Sequence, residues 1–410
     1  MSKFVVRAYA ASRLDALGVL TILAYGTWFY GFGVLFDDLL DAHSLTEGSL
    51  ALAYGAASLV AGIGAITTGR QLDKANPRIA LGVVGPLGSA LYFASAELSG
   101  TAFLITYAAG GGLIGAAGFY AFTQPLAVRL GTSDPSRSIT RLTIWGALSS
   151  PLMIPATEWL RSQQGWQTAI RVPAIATFAA FAMCAVICTP SGSQPGAAGS
   201  LLQALRSAAK RHEVRRFAIA ALLSSAAASS LLVYQVPTMT WAGLSAGVAA
   251  GFASARGLLQ LAGRLPLVAA IERWGALELM LAARVVLGLS AVVLLTSGML
   301  PLATLYVVLA GISIGALSAL DGIVARRVIG EQDFGAVMGA VGLVATIGGS
   351  LSPIIVGILR FTSGSPIAPM LLTAVFAWSA ALVLFALRRA LGATNNSLVA
   401  TDNSSASTNT

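Results

Sequence analysis

The sequence has little charge for its length. Only 10% of its 410 residues are charged, whereas 56% are hydrophobic, and the mean hydropathy is +0.79. A water-soluble globule of this size needs more polar residues to cover its surface. This deficit excludes a soluble protein and predicts a multi-pass integral protein of the cell membrane.

Cysteine and histidine are almost absent, with two of each. Cys184 and Cys188 lie four residues apart in one apolar run, which stacks them on one helix face and leaves no loop for a structural disulfide to close. Neither His43 nor His212 falls in an apolar run, so no buried histidine proton relay or haem ligand is expected. The sequence also has no nucleotide-binding motif. We therefore predict no metal site and no cofactor.

The basic residues are too scattered for a nucleic-acid-binding surface. The formal net charge is +9, but the lysines and arginines stand in small clusters between apolar runs and form no continuous patch. We therefore predict no nucleic-acid partner and explain the charge by membrane topology.

Twelve apolar runs are long enough to cross a bilayer, whose core of about 30 Å requires about 20 residues of helix. The fifth run is the weakest because Pro151 and Pro155 interrupt it. The runs predict an all-α membrane protein with twelve transmembrane helices. The predicted spans are 15–36, 47–69, 79–97, 102–125, 140–160, 168–188, 214–235, 243–270, 276–297, 301–322, 335–358 and 367–387.

A Pro/Gly/Ser-rich stretch followed by a basic one divides these helices into six and six. We predict an N-terminal half at 1–188, a cytoplasmic linker at 189–212 and a C-terminal half at 213–389. The tail at 390–410 is polar and without periodicity, so it is expected to be disordered and cytoplasmic.

The distribution of basic residues predicts the orientation. The positive-inside rule counts lysine and arginine in short loops near the helix ends. The loops of one side hold only Arg161, Arg171 and Arg360, whereas clusters of basic residues fall in the loops of the other side. Both termini are therefore expected in the cytoplasm.

Charge is concentrated in the loop between the second and third helices, which reads GRQLDKANPR at 69–78. The acid-base pair Asp73-Lys74 in this loop has a counterpart, Glu272-Arg273, at the corresponding place in the second half. An acid followed by a base at the same place in each half indicates an internal repeat of two six-helix units.

These features resemble the major facilitator superfamily of transporters. Its loop between helices two and three has the pattern Gly, three residues, Asp, Arg or Lys, one residue, Gly, one residue, then basic residues. Gly69, Asp73, Lys74 and Arg78 match that pattern, while Asn76 replaces the second glycine. The resemblance implies that these residues act in conformational change.

The second-half copy of the loop pattern is degenerate. It keeps Glu272, Arg273 and Gly275, but Val268 stands where the first glycine belongs. By the same resemblance, Glu272 and Arg273 belong to the conformational set. We expect Asp73 to accept hydrogen bonds from a helix N-terminus, and the loop to act as a latch between the halves.

Within the superfamily, the sequence is most similar to the monocarboxylate-porter and oxalate/formate-antiporter-like group. YGFGVLF at 30–36, GGGLIGAAGFY at 110–120 and GW at 165–166 look like recurring pieces of that group. GRLPLVAAIERWG at 263–275 is similar to its pattern of Gly-Arg in helix eight followed by an acid-base pair. This resemblance implies that Arg264 binds the substrate carboxylate.

Two departures limit that resemblance. The dicarboxylate antiporters of the group add a lysine in helix eleven, whereas 335–358 contains no basic residue. The animal monocarboxylate porters have an acid one turn before the helix-eight arginine and a lysine in helix one, where this chain has Gln260 and Val34. Neither two-point binding of a dicarboxylate nor that proton route carries over.

Arg256 and Arg264 are unusual inside an apolar helix, because an arginine near the bilayer centre costs about 2.5–3.5 kcal/mol. They are eight residues apart, about 12 Å along one helix face, with Gln260 between them. One interpretation is that they bind an anionic substrate, since a guanidinium holds a carboxylate through two parallel hydrogen bonds. The alternative is that Arg264 snorkels to the headgroups and Arg256 pairs with an acid.

Asp321 is the main acidic residue near the membrane interior. It is a candidate proton carrier, because burial raises the pKa of a carboxyl group. The alternative, which we favour, is a salt bridge with Arg256, Arg326 or Arg327.

Four other residues complete the predicted substrate site, since such sites have mostly apolar walls with a few polar anchors. They are Trp28 and Tyr30 in helix one and Tyr120 and Gln124 in helix four. The alternative is that the aromatic residues serve packing or lipid contact.

The sequence thus predicts a monomeric secondary active transporter rather than an enzyme. Its cargo is expected to be a small organic anion, a monocarboxylate or an aromatic acid, moved through the lipid bilayer by alternating access with a proton or by exchange. The first alternative is a drug or neutral-metabolite exporter of the same fold. An intramembrane enzyme or a multi-pass sensor is disfavoured, because no metal-ligand cluster, membrane-embedded histidine or output domain is evident.

Overall fold

The computed structural model describes residues 3–45, 47–74, 76–131, 134–189 and 200–406. Every regular element in these ranges is a helix, which confirms the predicted all-α class.

The chain forms twelve helical segments, here called helix 1 to helix 12, in the order of the predicted spans. In the N-terminal half they are helix 1 (Lys3–Ala24, a π-helical stretch at Tyr25–Tyr30, and Gly31–His43), helix 2 (Glu47–Asp73), helix 3 (Ala80–Val84 and Gly85–Ser95), helix 4 (Gly100–Gly118 and Tyr120–Leu130), helix 5 (Pro135–Ala147 and Ser149–Gln164) and helix 6 (Trp166–Ile187). In the C-terminal half they are helix 7 (His212–Trp241), helix 8 (Ala246–Arg264, then Leu267–Trp274), helix 9 (Ala276–Leu294), helix 10 (Leu300–Ile329), helix 11 (Phe334–Ser363) and helix 12 (Ile367–Ala406). A linker helix at Leu201–Lys210 precedes helix 7.

Nine of the described helices are long and apolar enough to cross a membrane by length and composition. The other three predicted spans correspond to helices 3, 5 and 8. Helix 3 is short, helix 5 turns at Leu148 just before Pro151, and helix 8 carries Arg256 and Arg264. The turn in helix 5 agrees with the predicted weakness of that span, because proline lacks the N–H that would continue the helix.

Two irregular stretches bring aromatic residues to mid-membrane depth. Helix 1 widens to a π-helix at Tyr25–Tyr30, and helix 4 is interrupted at Phe119, whose backbone is extended (φ −87°, ψ 167°). Within a bilayer such backbone is tolerated where it is buried in protein or lines a cavity. Both irregularities therefore point to the interior of the bundle.

The buried apolar residues form two clusters. One comes from helices 1–6, and the other comes from helices 7–12 with the addition of Ile139 from helix 5 and Ala208 from the linker helix. Each half thus has its own apolar core. The predicted domain boundaries stay predictions, and residues 190–199 of the linker lie outside the described residues.

The predicted disordered tail at 390–410 stays a prediction. Helix 12 runs to Ala406, although its apolar membrane span ends at Arg389. Extending an existing helix costs far less than nucleating one, so the backbone can continue as a helix beyond the apolar span. Residues 407–410 lie outside the described part.

Candidate functional site

A cavity of about 370 Å³ lies between the two halves. Helices 1 and 4 line it from the N-terminal half, and helices 7, 10 and 11 from the C-terminal half. This volume lies within the range of small-molecule sites. Among the described residues that line it, only Asp321 carries a charge. Its polar lining consists of Tyr25, Tyr120, Gln124, Ser224, Ser225, Ser318 and Asp321.

The helix 4 interruption builds one wall of this cavity. The ring of Tyr25 stacks on Phe119 with centroids 4.1 Å apart and 7° between the planes. The backbone N–H of Tyr120, exposed by the break, donates to the Tyr25 hydroxyl at 3.3 Å. One turn further on, Gln124 Nε2 donates to the backbone carbonyl of Ser318 in helix 10 at 2.7 Å. Two of the predicted site residues, Tyr120 and Gln124, therefore lie at the cavity.

Arg264 is 3% exposed and holds the two halves together. Its Nε donates to the carbonyl of Gly315 in helix 10 at 3.1 Å, and its Nη2 to Gln260 Oε1 at 3.4 Å. Its Nη1 donates to the carbonyl of Thr143 in helix 5, on the opposite half. The guanidinium thus points into the bundle, and the alternative that it snorkels to the headgroups is wrong.

Arg264 does not itself line the cavity, but Tyr120 connects the two. Tyr120 is part of the cavity wall, and its side chain lies close enough to Arg264 to interact with the guanidinium charge. Substrate binding by Arg264 stays a prediction, and so does that by Gln260, which accepts from it.

Arg256 lies in a second polar cluster, in the part of the C-terminal half that is away from the basic loops. It is 9% exposed, and its Nε donates to Gln235 Oε1 at 3.0 Å. The same oxygen accepts the Tyr306 hydroxyl at 2.9 Å. Among the described residues no acid pairs with Arg256, and its Nη1 has no hydrogen-bond partner. The acid expected as the alternative partner of Arg256 is therefore replaced by a neutral glutamine.

The two predicted aromatic residues of helix 1 occupy different places. Tyr30 lies close enough to both Arg256 and Arg264 to interact with their charges, and its side chain is near Ser150. Trp28 is fully buried, stacks on Tyr54 at 5.0 Å and does not line the cavity. A Cβ added at Gly111 would come within 2.3 Å of the Trp28 ring, so the ring packs tightly against helix 4. Substrate binding by Trp28 stays a prediction.

Asp321 forms an ion pair inside the membrane, although its partner is none of the three expected. Arg284 of helix 9, which is 0% exposed, donates from Nη2 to Asp321 Oδ1 at 2.9 Å. Arg326, one of the expected partners, instead pairs with Glu331 at 2.7 Å. The prediction of an ion pair is confirmed and its partner was wrong.

Arg284 was not identified as a functional residue from the sequence. Its signal is the same as that of Arg256 and Arg264, a single arginine inside an apolar run, here the predicted span 276–297. Its Nε and Nη1 have no hydrogen-bond partner within the described part of the chain. The ion pair with Asp321 therefore offsets most of the free-energy cost of burying the Arg284 charge.

The loop GRQLDKANPR joins the halves on the side of the membrane that carries the basic loops, here called the basic side. Asp73 Oδ1 and Oδ2 accept the backbone N–H groups of Gly335 and Ala336 at 2.8 and 2.9 Å, at the N-terminus of helix 11. Arg70 pairs with Asp333 beside them. The predicted contact between Asp73 and a helix N-terminus is confirmed.

Gly69 allows the close approach that this contact requires. A Cβ added at Gly69 would lie 2.1 Å from the Gly335 carbonyl oxygen, which is a severe clash. Only glycine therefore fits at this crossing of helices 2 and 11.

The second-half copy makes a weaker contact of the same kind. Glu272 pairs with Arg137 at 3.2 Å, near the start of helix 5, and both side chains are mostly exposed. The other predicted conformational residues, Lys74, Arg78 and Arg273, are exposed as well. A role for them in gating stays a prediction.

Comparisons with known proteins agree with this architecture. The family model described as Major Facilitator Superfamily matches residues 17–353. The fold is similar to that of the E. coli fucose:proton symporter, at 14% identity over 92% of this chain and 98% of that one (TM-score 0.74). It is also similar to a human organic anion transporter, at 17% identity over 92% and 99% of the chains (TM-score 0.73).

A proton:xylose symporter bound to 6-bromo-6-deoxy-D-glucose is similar at 13% identity, over 92% and 95% of the chains (TM-score 0.69). At these identities the likeness to solved structures shows the fold alone. No curated protein sequence matches the chain. The family match covers most of the chain, so the protein belongs to the major facilitator superfamily and is a membrane transporter rather than an enzyme.

Proposed function

We propose that the chain moves a small organic anion, a monocarboxylate or an aromatic acid, by alternating access as a monomer, with a proton or by exchange. The observation that carries the proposal is an excess of buried positive charge. Arg256, Arg264 and Arg284 are all buried, and Asp321 is the one acid that pairs with any of them among the described residues.

A buried charge is costly unless an opposite charge or strong hydrogen bonds compensate for it. Arg284 has Asp321, whereas Arg256 and Arg264 have only neutral acceptors, namely backbone carbonyls and amide oxygens. A carboxylate makes shorter and stronger hydrogen bonds to a guanidinium than a neutral carbonyl does. An anionic solute therefore supplies the charge that these two arginines lack.

Binding of the solute at Arg264 also couples solute binding to movement of the two halves. The Thr143 carbonyl belongs to the N-terminal half and the guanidinium to the C-terminal half. A solute carboxylate that takes the place of this carbonyl breaks one link between the halves. Solute binding then favours the state in which the two halves have separated at the contact between Arg264 and Thr143, as alternating access requires.

The second candidate is transport of a neutral solute, as in a drug or neutral-metabolite exporter. It is favoured by the cavity lining, in which Asp321 is the sole charged residue and hydroxyl and amide groups dominate the polar part. In that case Arg264 is a structural link, and Asp321 is the group that responds to protons.

A panel of acids, each matched with its primary amide, separates the two candidates. Thermal unfolding of the purified protein is recorded with each compound, because a ligand that binds the folded state raises its apparent stability. We expect stabilisation by acids and not by their amides, and loss of this effect in Arg264→Ala. The control is Arg161→Ala, a half-buried arginine that pairs with Asp38 and Glu158 away from the cavity. Equal stabilisation by amides, or an acid effect that survives in Arg264→Ala, would contradict anion binding at this site.

A further inference from the structure

We infer that the transported anion carries a hydroxyl group remote from its carboxylate. This inference rests on the proposed function, because it takes Arg264 as the group that receives the carboxylate. The juxtaposition behind it is a cavity with Tyr120 at one end, beside the Arg264 guanidinium that lies behind the wall, and an acceptor, Asp321, in the lining.

Asp321 has unused acceptor capacity that faces the cavity. A carboxylate offers about four lone-pair sites on two oxygens. One oxygen, Oδ1, accepts from Arg284, and the side chain remains 36% exposed although it lies inside the membrane. Because this exposed surface belongs to the cavity wall, a hydrogen-bond donor on the solute can reach it.

The charge balance favours a hydroxyl over an ammonium as that donor. Arg284 and Asp321 form a neutral pair, and Arg284 is fully buried beside it. An ammonium at Asp321 would place a second cation near Arg284, whereas a hydroxyl adds no charge. The single negative charge of the solute is needed at Arg264. A hydroxy acid therefore fits better than an amino acid.

The spacing along helix 10 sets the distance that the solute needs between its carboxylate and its hydroxyl group. Arg264 is anchored at the carbonyl of Gly315, and Asp321 follows six residues later, about 9 Å further along the helix axis. Between them, Tyr25, Tyr120 and Leu317 supply aromatic and apolar surface for the body of the solute. A hydroxyl para to a carboxylate on a benzene ring, or at the far end of a six-carbon chain, meets this spacing. A hydroxyl next to the carboxylate does not.

Dissociation constants of matched acids test the inference. Benzoate is compared with 4-hydroxybenzoate and 2-hydroxybenzoate, and hexanoate with 6-hydroxyhexanoate, by calorimetry on the purified protein. We expect the remote hydroxyl to tighten binding about tenfold or more, as a hydrogen bond to a charged group does. The adjacent hydroxyl of 2-hydroxybenzoate should give no such gain, and neither should the ammonium of 4-(aminomethyl)benzoate.

A double variant links the preference to Asp321. In Asp321→Leu/Arg284→Met the ion pair is replaced by apolar residues of similar size, an exchange that folded proteins often tolerate. The variant should bind the parent acids and lose the preference for the remote hydroxyl. The matched control is Asp38→Leu/Arg161→Met, which removes an ion pair at 3.1 Å in the N-terminal half, away from the cavity. This control should keep the preference for the remote hydroxyl.

The outcomes distinguish the two proposals. If acids bind and the remote hydroxyl makes no difference, or the preference survives in the double variant, the inference is overturned and the proposed function stands. If amides bind as well as acids, or no acid binds, the proposed function is overturned.

Discussion

At the residue scale, Arg264 makes three hydrogen bonds from three nitrogen atoms held in one rigid plane. Its Nε, Nη1 and Nη2 donate to Gly315, Thr143 and Gln260, on two helices of its own half and one of the other. Lysine keeps the charge but offers a point-like ammonium without the planar fork. The chemistry of this residue, more than its charge, should therefore decide transport.

We expect Arg264→Lys to lose most transport, about tenfold or more, because at least one charge-assisted hydrogen bond is lost. Uptake of the acid identified in the binding screen is measured in proteoliposomes, with Arg161→Lys, a half-buried ion-paired arginine away from the cavity, as the control. Near-normal uptake by Arg264→Lys would remove Arg264 from the substrate site.

Residue identity could be predicted from the sequence, but residue pairing could not. Single charges in apolar runs identified Arg256, Arg264 and Asp321 as exceptional. The partner of Asp321 is Arg284, 37 positions away and on another helix. Which charges meet depends on how the helices are rotated and packed, and a hydropathy pattern averaged over about 20 residues does not specify that rotation.

At the element scale, helix count and order and the weak point of helix 5 could be predicted, whereas the irregularities of helices 1 and 4 could not. Apolar length alone located all twelve segments, because every backbone group in a bilayer must be satisfied within a helix. The interruption at Phe119 and the π-helical stretch at Tyr25–Tyr30 have no proline within them. They are stabilised by contacts between helices, such as the Tyr25–Phe119 stack, which the sequence of either helix alone does not contain.

The contact between helix 2 and helix 11 gives a prediction about one carboxylate. Both oxygens of Asp73 accept backbone N–H groups of helix 11, and asparagine has only one acceptor oxygen, with an NH₂ group in place of the other. Asp73→Asn should therefore weaken closure on the basic side and slow transport severalfold, while the dissociation constant of the substrate changes little.

Initial uptake rates and calorimetric binding together test the Asp73→Asn prediction. Asp41→Asn, an exposed carboxylate of helix 1, is the matched control. A large loss of affinity with intact turnover would place Asp73 at the substrate rather than at the helix 11 contact.

At the scale of the whole molecule, the two halves are held together differently from each half within itself. The apolar clusters are separate except for Ile139. The interface carries polar links, including Asp73 to helix 11, Gln124 to Ser318 and Arg264 to Thr143, together with close packing of helices 2 and 11, where Gly62 faces Leu343 and Gly339 faces Ala65. The polar links can be exchanged for water or solute when the halves separate. This division suits a molecule that rocks about its centre.

Closure on the basic side depends on Gly69, and the dependence can be measured as access to the cavity. A methyl group added at Gly69 would place its carbon 2.1 Å from the Gly335 carbonyl oxygen. That oxygen is part of the backbone and cannot move aside without shifting helix 11. Gly69→Ala should therefore favour the state that is open on the basic side.

Access is reported by Ser225→Cys, a cavity-lining position, labelled with an impermeant maleimide in inside-out vesicles. The native Cys184 and Cys188 are buried and should react slowly. We expect Gly69→Ala to raise the labelling rate severalfold and to reduce uptake, because the cavity then opens mainly to one side. Gly55→Ala on the same helix is the control, since its added methyl group meets no atom within 4 Å. An unchanged labelling rate in Gly69→Ala would show that the crossing of helices 2 and 11 does not control access to the cavity.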